Sequence, residues 1–298
     1  MNRSSQIFGG NWTEEKLERV RKYLVAYATI MNRQHFRFAY IDAFAGTGYR
    51  TLECHEKPLA KIFPEVFEED SQQFLDGSAR IALQVRPRFT KYIFIERDTK
   101  RITELEKLKS EFEELRDDIL LVHAEANSYL QDMCLHRRWK KNRAVLFLDP
   151  FGMQVRWETI AAIAATEAID LWILFPISAV NRLLKRDGQI SPEWRKSLDS
   201  MLGSSDWYDV FYKTWKFTNI FGSEQTGTIK LADFDLISEY FVKRLKTVFA
   251  GVAENPRPLL NSRNSPLYLL CFASGNPKGA PTAIKIAQDI LKRETSWQ

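Results

Sequence analysis

The chain has 298 residues, of which 45% are hydrophobic and 27% charged, as in an ordinary soluble globular protein. Its formal net charge of +5 permits nucleic-acid binding but is too small to demonstrate it. Three scattered cysteines and four histidines form neither a Cys-x-x-Cys motif nor a zinc-ligand spacing, so we expect no disulfide framework and no metal.

We expect neither a signal peptide nor a membrane-spanning segment in this sequence. Residues 1–10 lack the apolar segment of a signal peptide, and the longest apolar run, residues 171–180, is too short to cross a bilayer. An odd number of cysteines fits a reducing compartment. We therefore expect a cytoplasmic protein with no membrane partner.

The first predicted element is a helix over residues 13–32. Thr13 can accept hydrogen bonds from the N–H groups of the first turn, and Glu14 and Glu15 suit the positive end of the helix. One face of this helix is apolar, so we interpret it as packing on a sheet. That face comprises Leu17, Val20, Leu24, Tyr27 and Ala28.

Five short apolar runs follow, with helical segments between them. Near-continuous apolar runs are typical of buried parallel strands, and their alternation with helices predicts an α/β fold with a mostly parallel sheet flanked by helices. A last helix, strand and helix complete the chain. The strands are expected at 38–41, 91–95, 119–122, 144–148, 169–175 and 266–273, and the helices at 102–115, 129–139, 157–166, 233–249 and 282–292.

Two segments interrupt this alternation within what we interpret as a single domain, residues 1–298. Residues 49–76 form an insertion after the first strand, which we interpret as a lid or substrate loop, and the next helix begins near Ser78, its predicted N-cap. Residues 180–230, rich in Trp and Tyr, follow the fifth strand. We predict that they form a small helical elaboration over the carboxyl edge of the sheet.

The first strand ends in Asp42-Ala43-Phe44-Ala45-Gly46-Thr47-Gly48. A glycine-rich turn lets a ligand approach bare backbone, and an acid before it suits a cationic ligand better than a phosphate. S-adenosylmethionine (SAM) carries a sulfonium and an ammonium, so we predict a SAM site here. A nicotinamide dinucleotide fits less well, because Thr51 replaces the third glycine of its fingerprint. The residues assigned to the cofactor are Asp42, Phe44, Ala45, Gly46 and Gly48, with Ser78 at its methionine end.

The second and third strands also end in polar residues. Glu96 can accept hydrogen bonds from both hydroxyls of an adenosine ribose, although it could equally be an exposed acid in a turn. After the third strand, Glu125 or Asn127 could bind the adenine amino group. Asn127 could as easily cap the helix that follows.

The fourth strand ends in Asp149-Pro150-Phe151-Gly152, our candidate reaction centre. The Asp149 carboxylate and the carbonyl of Pro150 can accept hydrogen bonds from an exocyclic amine and aim its lone pair at a methyl donor. Phe151 would stack on the base that carries the amine. The alternative is a strand-end turn with a buried phenylalanine.

Residues 136–143 form the densest basic cluster, with Trp139 inside it. An aromatic side chain within a basic run can stack a base while its neighbours bind phosphates. The alternative interpretation is a solvated connection between a helix and a strand.

In order and content, the strand-end motifs resemble those of class I SAM-dependent methyltransferases. The Asp149–Gly152 motif is similar to the catalytic motif of tRNA guanine-N2 dimethyltransferases, and it departs from the Asp-Pro-Pro-Tyr motif of adenine-N6 enzymes in lacking the second proline. This departure argues against adenine-N6 chemistry.

The chain also resembles a narrower family, the three-Cys-motif partner proteins (TcmP). This resemblance implies a Rossmann-like methyltransferase fold and a partner that is a three-cysteine, radical-SAM-like protein. The matching segments are 12–17 (WTEEKL), 23–24 (YL), 40–46 (YIDAFAG), 77–78 (GS), 94–96 (FIE), 147–152 (FLDPFG), 267–268 (LY) and 272–274 (FAS).

Together these motifs predict a SAM-dependent methyltransferase that acts on an exocyclic amine of a nucleic-acid base, with RNA favoured over DNA. The target base would have to be unpaired or flipped out to reach such a pocket. The alternative is a non-catalytic module that binds SAM or docks the three-cysteine partner, with the aromatic region at 180–230 as its interface.

Overall fold

The computed structural model describes residues 11–45, 77–218 and 224–292. The predicted insertion at 49–76 and the glycines Gly46 and Gly48 lie outside these ranges. No helix within them is long and apolar enough to cross a membrane.

Strands and helices alternate along the described ranges. The strands are β1 Arg37–Ala43, β2 Lys91–Glu96, β3 Ile119–His123, β4 Asn142–Leu148, β5 Ile169–Phe175, β6 Tyr212–Thr218, β7 Glu224–Lys230, β8 Gly251–Val252, β9 Arg257–Leu260 and β10 Pro266–Ser274. The helices are α1 Asn11–Met31, α2 Ser78–Gln84, α3 Thr99–Glu111, α4 Ala126–His136, α5 Trp157–Ala165, α6 Ile177–Leu183, α7 Pro192–Leu202, α8 Trp207–Phe211, α9 Phe234–Lys246 and α10 Ala280–Lys292.

The central sheet has the strand order β3-β2-β1-β4-β5-β10-β8, with β9 also paired to β10. Strands β1 to β5 are parallel, and β10 runs antiparallel to β5. The strand order reverses between β1 and β4, and ligands of open α/β sheets bind at the carboxyl ends of the strands at such a reversal. The predicted Rossmann-like α/β fold with a mostly parallel sheet is therefore confirmed.

Helix α1 is fixed against the sheet by Tyr23. Its ring lies 5.4 Å from that of Trp172 on β5 and 4.7 Å from that of Phe272 on β10. Its hydroxyl donates a 2.7 Å hydrogen bond to the buried carboxylate of Asp170, which also accepts one of 2.6 Å from Ser274. Because α1 is held in this way, residues two turns earlier on the same face also point into the sheet.

The region after β5 differs from its prediction. Residues 192–202 and 207–211 are helical as expected, but 212–218 and 224–230 form a two-stranded antiparallel sheet of their own. The physical reason is visible in residues 214–218, Thr-Trp-Lys-Phe-Thr, where polar and aromatic residues alternate with the period of a strand. The prediction of a small helical elaboration is therefore wrong for residues 212–218 and 224–230.

Two predicted helix starts also need correction. Gly77, not Ser78, occupies the N-cap position of α2, and no side-chain capping bond forms there. The helix predicted from residue 129 begins at Ala126, because the Glu125 side chain accepts hydrogen bonds from the backbone N–H groups of Asn127 and Ser128. The cap considered for Asn127 is thus made by Glu125.

Candidate functional site

A buried lysine reaches the candidate reaction centre from α1. Lys16 is 0% exposed, and its Nζ lies 2.6 Å from Oδ2 of Asp149. The same ammonium lies 5.2 Å from the ring centroid of Trp12 and 5.9 Å from that of Phe147. Lys16 is seven residues before Tyr23 and so shares its sheet-facing side of α1. Burial beside two rings leaves the carboxylate as its natural charge partner.

Asp149 combines this ion pair with access to solvent. It directly follows β4, and its side chain keeps 22% of its surface exposed. Pro150 behind it is buried, and Phe151 is half-buried. Gly152 has φ of 63°, a conformation that glycine adopts at little cost, and this allows the chain to turn away from the sheet. The turn therefore presents a fixed carboxylate at the edge of the sheet where the parallel strands end.

Asp42 lies on the adjacent strand, close to its carboxyl end, and is fully buried. The Tyr40 hydroxyl donates a 3.0 Å hydrogen bond to its Oδ2. Its Oδ1 is buried and has no hydrogen-bond partner among the described residues. An unpartnered carboxylate oxygen in the interior is unfavourable, so this atom is where a ligand donor would gain most.

Asp42, Asp149 and Lys16 influence one another electrostatically. Burial raises the pKa of Asp42 to about 7, and the negative charge of Asp149 adds to this effect. Hydrogen bonds from Ser78 and Tyr40 and the positive charge of Lys16 act in the opposite direction. The Ser78 side chain thus lies near Asp42, and its contact with the methionine end of the cofactor stays a prediction.

The turn that follows β1 is partly described. Ala45 is buried, and its N–H donates a 3.0 Å hydrogen bond to the carbonyl of Ile95 on β2. Phe44 packs against the core with φ of 73°, in the left-handed region that a side chain adopts only at a cost of about 1–3 kcal/mol. Such strain is typical of turns that serve a ligand. The predicted ligand residues Gly46 and Gly48 lie outside the described ranges.

Glu96 ends β2 as a buried, oriented acid and not as an exposed one. Its Oε1 accepts hydrogen bonds of 2.6 Å and 2.7 Å from the backbone N–H groups of Arg97 and Asp98. Its Oε2 lies 3.6 Å from Nη1 of Arg101, and only 8% of the residue is exposed. The carboxylate is therefore held in one orientation at the edge where the strands end.

Glu125 and Asn127 are engaged within the protein. Although burial opposes it, hydrogen bonds from Asn127 and Ser128 lower the pKa of Glu125 to about 2. The Asn127 amide donates to Glu125 and to the carbonyl of Gln154, and its oxygen accepts from Arg156 N and Thr159 Oγ1. These contacts join the start of α4 to the start of α5.

The basic cluster at 136–143 lies away from Asp42 and Asp149. It precedes and begins β4 at Asn142, so it is at the amino edge of the sheet, opposite Asp149. Trp139 is partly buried and donates a 3.1 Å hydrogen bond to the carbonyl of Cys134. Arg143 lies 4.1 Å from the ring of Phe36. The cluster therefore fits the interpretation as a helix-to-strand connection.

The structure brings the described candidates to one edge and adds Lys16. Asp42, Glu96, Glu125 and Asp149 all stand where parallel strands end. Lys16 was missed because a lysine in the first turns of a helix usually points to water. Its spacing from Val20, Tyr23 and Tyr27 was the clue that it belongs to the apolar face. Across the described ranges, no group of three His, Cys, Asp or Glu side chains is arranged to hold a metal ion.

No protein-family model matches the chain, and no curated protein matches it. Solved structures with similar folds include a protein of family DUF519 from Legionella pneumophila, at 14% identity and a TM-score of 0.46, covering 95% of this chain and 92% of that one. Spermidine synthase from Thermotoga maritima is 11% identical with a TM-score of 0.39, covering 94% and 68% of the two chains.

A third similar structure is magnesium protoporphyrin IX methyltransferase from Synechocystis with bound SAM. It is 12% identical with a TM-score of 0.30, covering 76% of this chain and 86% of that one. At identities and TM-scores this low, the similarities carry no argument about reaction or substrate.

Proposed function

We propose that this protein is a SAM-dependent methyltransferase that acts on an exocyclic amine of a nucleic-acid base, RNA in preference to DNA. The observation that carries the proposal is the group of Asp42, Asp149 and buried Lys16 at the carboxyl ends of β1 and β4. A cationic methyl donor and a neutral amine nucleophile are the ligands that this charge arrangement suits best.

The residues present fit SAM at its positively charged end. SAM supplies a methyl group bonded to a positively charged sulfur. The unpartnered Oδ1 of buried Asp42 would accept a hydrogen bond from the ammonium group, and its negative charge would favour both cationic centres. Phe44 and Ala45 support the turn through which the methionine portion would approach the backbone.

Glu96 is suited to the ribose. Each carboxylate oxygen has two lone pairs, so Glu96 can accept from ribose hydroxyls while keeping its bonds to Arg97 and Asp98. Those two backbone bonds fix the direction in which the remaining lone pairs point. Adenine binding by Glu125 or Asn127 stays a prediction, and the internal bonds of both side chains make it the weakest of the cofactor assignments.

Asp149 would orient the attacking amine. Its Oδ2 is occupied by Lys16, and the carboxylate would accept a hydrogen bond from an amine N–H, directing the nitrogen lone pair towards the methyl group. Lys16 holds the carboxylate in place through this ion pair. The carbonyl of buried Pro150 would accept from the second N–H, and half-buried Phe151 would cover the base.

One pair of assays tests the proposal. SAM and its demethylated product are titrated calorimetrically, and the protein is then incubated with methyl-labelled SAM and total RNA, total DNA or total protein. If RNA becomes labelled only when the protein is present, the result supports the proposal. The absence of SAM binding contradicts it. Binding without transfer to any acceptor contradicts catalysis and leaves the non-catalytic module, with a three-cysteine protein as the partner to try next.

A further inference from the structure

The antiparallel pair β6 and β7, residues 212–218 and 224–230, forms an arm outside the main sheet. Exposed large hydrophobic side chains concentrate on it. Trp215 is 40% exposed, Ile229 53% and Leu231, just after the arm, 48%. The remaining exposed large hydrophobic residues in the described ranges include Ile30, Leu135 and Leu260, which are scattered along the chain. Such clustering marks an interaction surface.

The pairing of the arm puts three of its side chains on one face. Trp215 is opposite Gly227, and Lys213 is opposite Ile229. Because alternate residues of a strand share a face, Lys213, Trp215 and Ile229 lie together. The Trp215 ring rests on Gly227, where a Cβ atom would come within 2.3 Å of it. Because Gly227 has no side chain, the indole packs directly on its backbone, while much of the ring stays open to solvent.

The base of the arm is fixed at the edge of the sheet that carries Asp149. The Tyr212 hydroxyl donates a 2.8 Å hydrogen bond to the carbonyl of Lys185, and Lys230 Nζ donates a 2.7 Å bond to Asn181 Oδ1 in α6. Helix α6 begins two residues after the carboxyl end of β5, which runs parallel to β4. A two-stranded sheet is marginal alone, so these bonds are what hold the arm in place.

The arm also carries positively charged side chains near Trp215. Lys213 is exposed on the face of Trp215, Lys216 is exposed on the opposite face, and Glu224 is the one carboxylate among the described arm residues. At the base, burial and the positive charge of Arg186 both lower the pKa of Lys230, which shows that these cations are close. An open indole beside Lys213, which forms no ion pair with the residues that the structure describes, is complementary to a base and its phosphate.

We propose that the arm binds single-stranded nucleic acid, with one base stacked on Trp215 and the phosphate backbone beside Lys213, while Lys216 on the opposite face adds to the positive charge of the arm. This inference rests on the proposed function, because it assigns the part of the protein that holds the nucleic-acid substrate near Asp149. An apolar protein partner would also cover Ile229 and Leu231, but it would leave the lysines without counter-charges. The charge pattern therefore favours nucleic acid.

The test measures binding of a fluorescein-labelled single-stranded RNA to the full chain by fluorescence anisotropy at low and moderate salt. Trp215→Ala is expected to weaken binding about tenfold, and Trp215→Phe, which keeps an aromatic face, by much less. The double variant Lys213→Glu with Lys216→Glu is expected to lose at least about tenfold and to show a shallower salt dependence. Its matched control, Lys140→Glu with Lys141→Glu, makes the same charge change at the opposite edge of the sheet.

The RNA-binding results test the assignment of the arm, and the SAM-binding results test the proposed methyl transfer. Equal losses in the two lysine double variants, or unchanged RNA binding in Trp215→Ala, would overturn the assignment of the arm. Absence of RNA binding by the wild-type chain would overturn it as well. SAM affinity is measured on the same preparations: a wild-type chain that does not bind SAM contradicts the proposed function whatever the arm does, and arm variants that keep SAM affinity are correctly folded.

Discussion

Lys16 on α1 and Asp149 after β4 form a 2.6 Å ion pair at the point where the strand order of the sheet reverses. The lysine is completely buried, whereas the carboxylate is partly open to solvent. One side of the pair is therefore structural and the other can contact a ligand. This asymmetry fits Lys16 as a positioning residue for the carboxylate that we propose receives the substrate amine.

Replacing Lys16 tests that role. Lys16→Met is expected to reduce kcat/KM for methyl transfer about 100-fold, because the carboxylate loses the group that orients it. The rate profile is also expected to move to higher pH, since Asp42 and Asp149 then repel each other without compensation. Lys16→Arg should restore part of the activity. Kinetics as a function of pH provide the measurement.

The control for Lys16→Met is Lys22→Met on the same helix. Lys22 is exposed, and its Nζ lies 3.5 Å from Glu18. The Lys22→Met substitution removes the same charge from α1 but leaves Asp149 and its ion pair intact. If both variants lose activity equally, or if Lys16→Met keeps the wild-type pH profile, the positioning role is excluded.

Binding of SAM should be linked to ionisation of Asp42. Since the pKa of Asp42 is raised to about 7, the side chain is mostly neutral at pH 6 and mostly charged at pH 8. A cationic ligand prefers the charged form, so SAM affinity is expected to rise about tenfold between these pH values, with release of a proton. Calorimetry at pH 7 in two buffers of different ionisation enthalpy measures that release.

Asp42→Asn serves as the matched variant for this experiment. It preserves the shape of the side chain and removes its titration, so its weaker SAM binding is expected to be independent of pH. An affinity that rises on acidification, or a heat that does not depend on the buffer, would contradict a direct contact between Asp42 and the ligand.

The parallel strands could be predicted because each consists of large apolar residues buried on both faces. The run at 169–175 coincides with β5, in which all seven residues are buried. The order of polar residues after the strands then followed from the geometry of a parallel sheet. For that reason the sequence places the candidates Asp42, Glu96 and Asp149 at one edge of the sheet, where the structure has them.

What escaped prediction depends on contacts between distant parts of the chain. Lys16 and Asp149 are 133 residues apart, and nothing local to either residue reveals the pair. The arm was included in a predicted helical elaboration, although residues 214–218 alternate between polar and aromatic with the period of a strand. Glu125 and Asn127 were both able to cap α4. The Glu125 side chain makes the cap, because it reaches the backbone N–H groups of Asn127 and Ser128.

Asp170 gives the fold a pH dependence that can be isolated. Burial raises the pKa of Asp170 to about 6, while hydrogen bonds from Ser274 and Tyr23 oppose the shift. A raised folded-state pKa means that its contribution to stability is present below about pH 4 and is lost as the pH rises through about 6. The free energy of unfolding of wild type relative to Asp170→Asn should therefore fall over that interval, as measured by urea denaturation. A constant difference would contradict the assignment.

Gly203 closes α7 with φ of 71°, under the ring of Trp157. A Cβ atom there would lie 2.0 Å from the indole, which is itself covered by Arg244 at 4.6 Å. Gly203→Ala is expected to cost about 2–3 kcal/mol through overpacking and backbone strain. Gly152→Ala is the control, since Gly152 also has positive φ but has no atom within 4 Å of the added Cβ. It should cost about 1 kcal/mol. Equal costs would refute the packing argument.

The central claim is that Asp149 receives the substrate amine while Asp42 and Glu96 hold SAM. The most direct measurement compares wild type and Asp149→Ala in transfer of the labelled methyl group to RNA, with SAM affinity determined calorimetrically for both. The variant is expected to lose transfer by about 100-fold or more and to bind SAM nearly as well as wild type. An Asp149→Ala protein that transfers methyl groups at the wild-type rate would contradict the account.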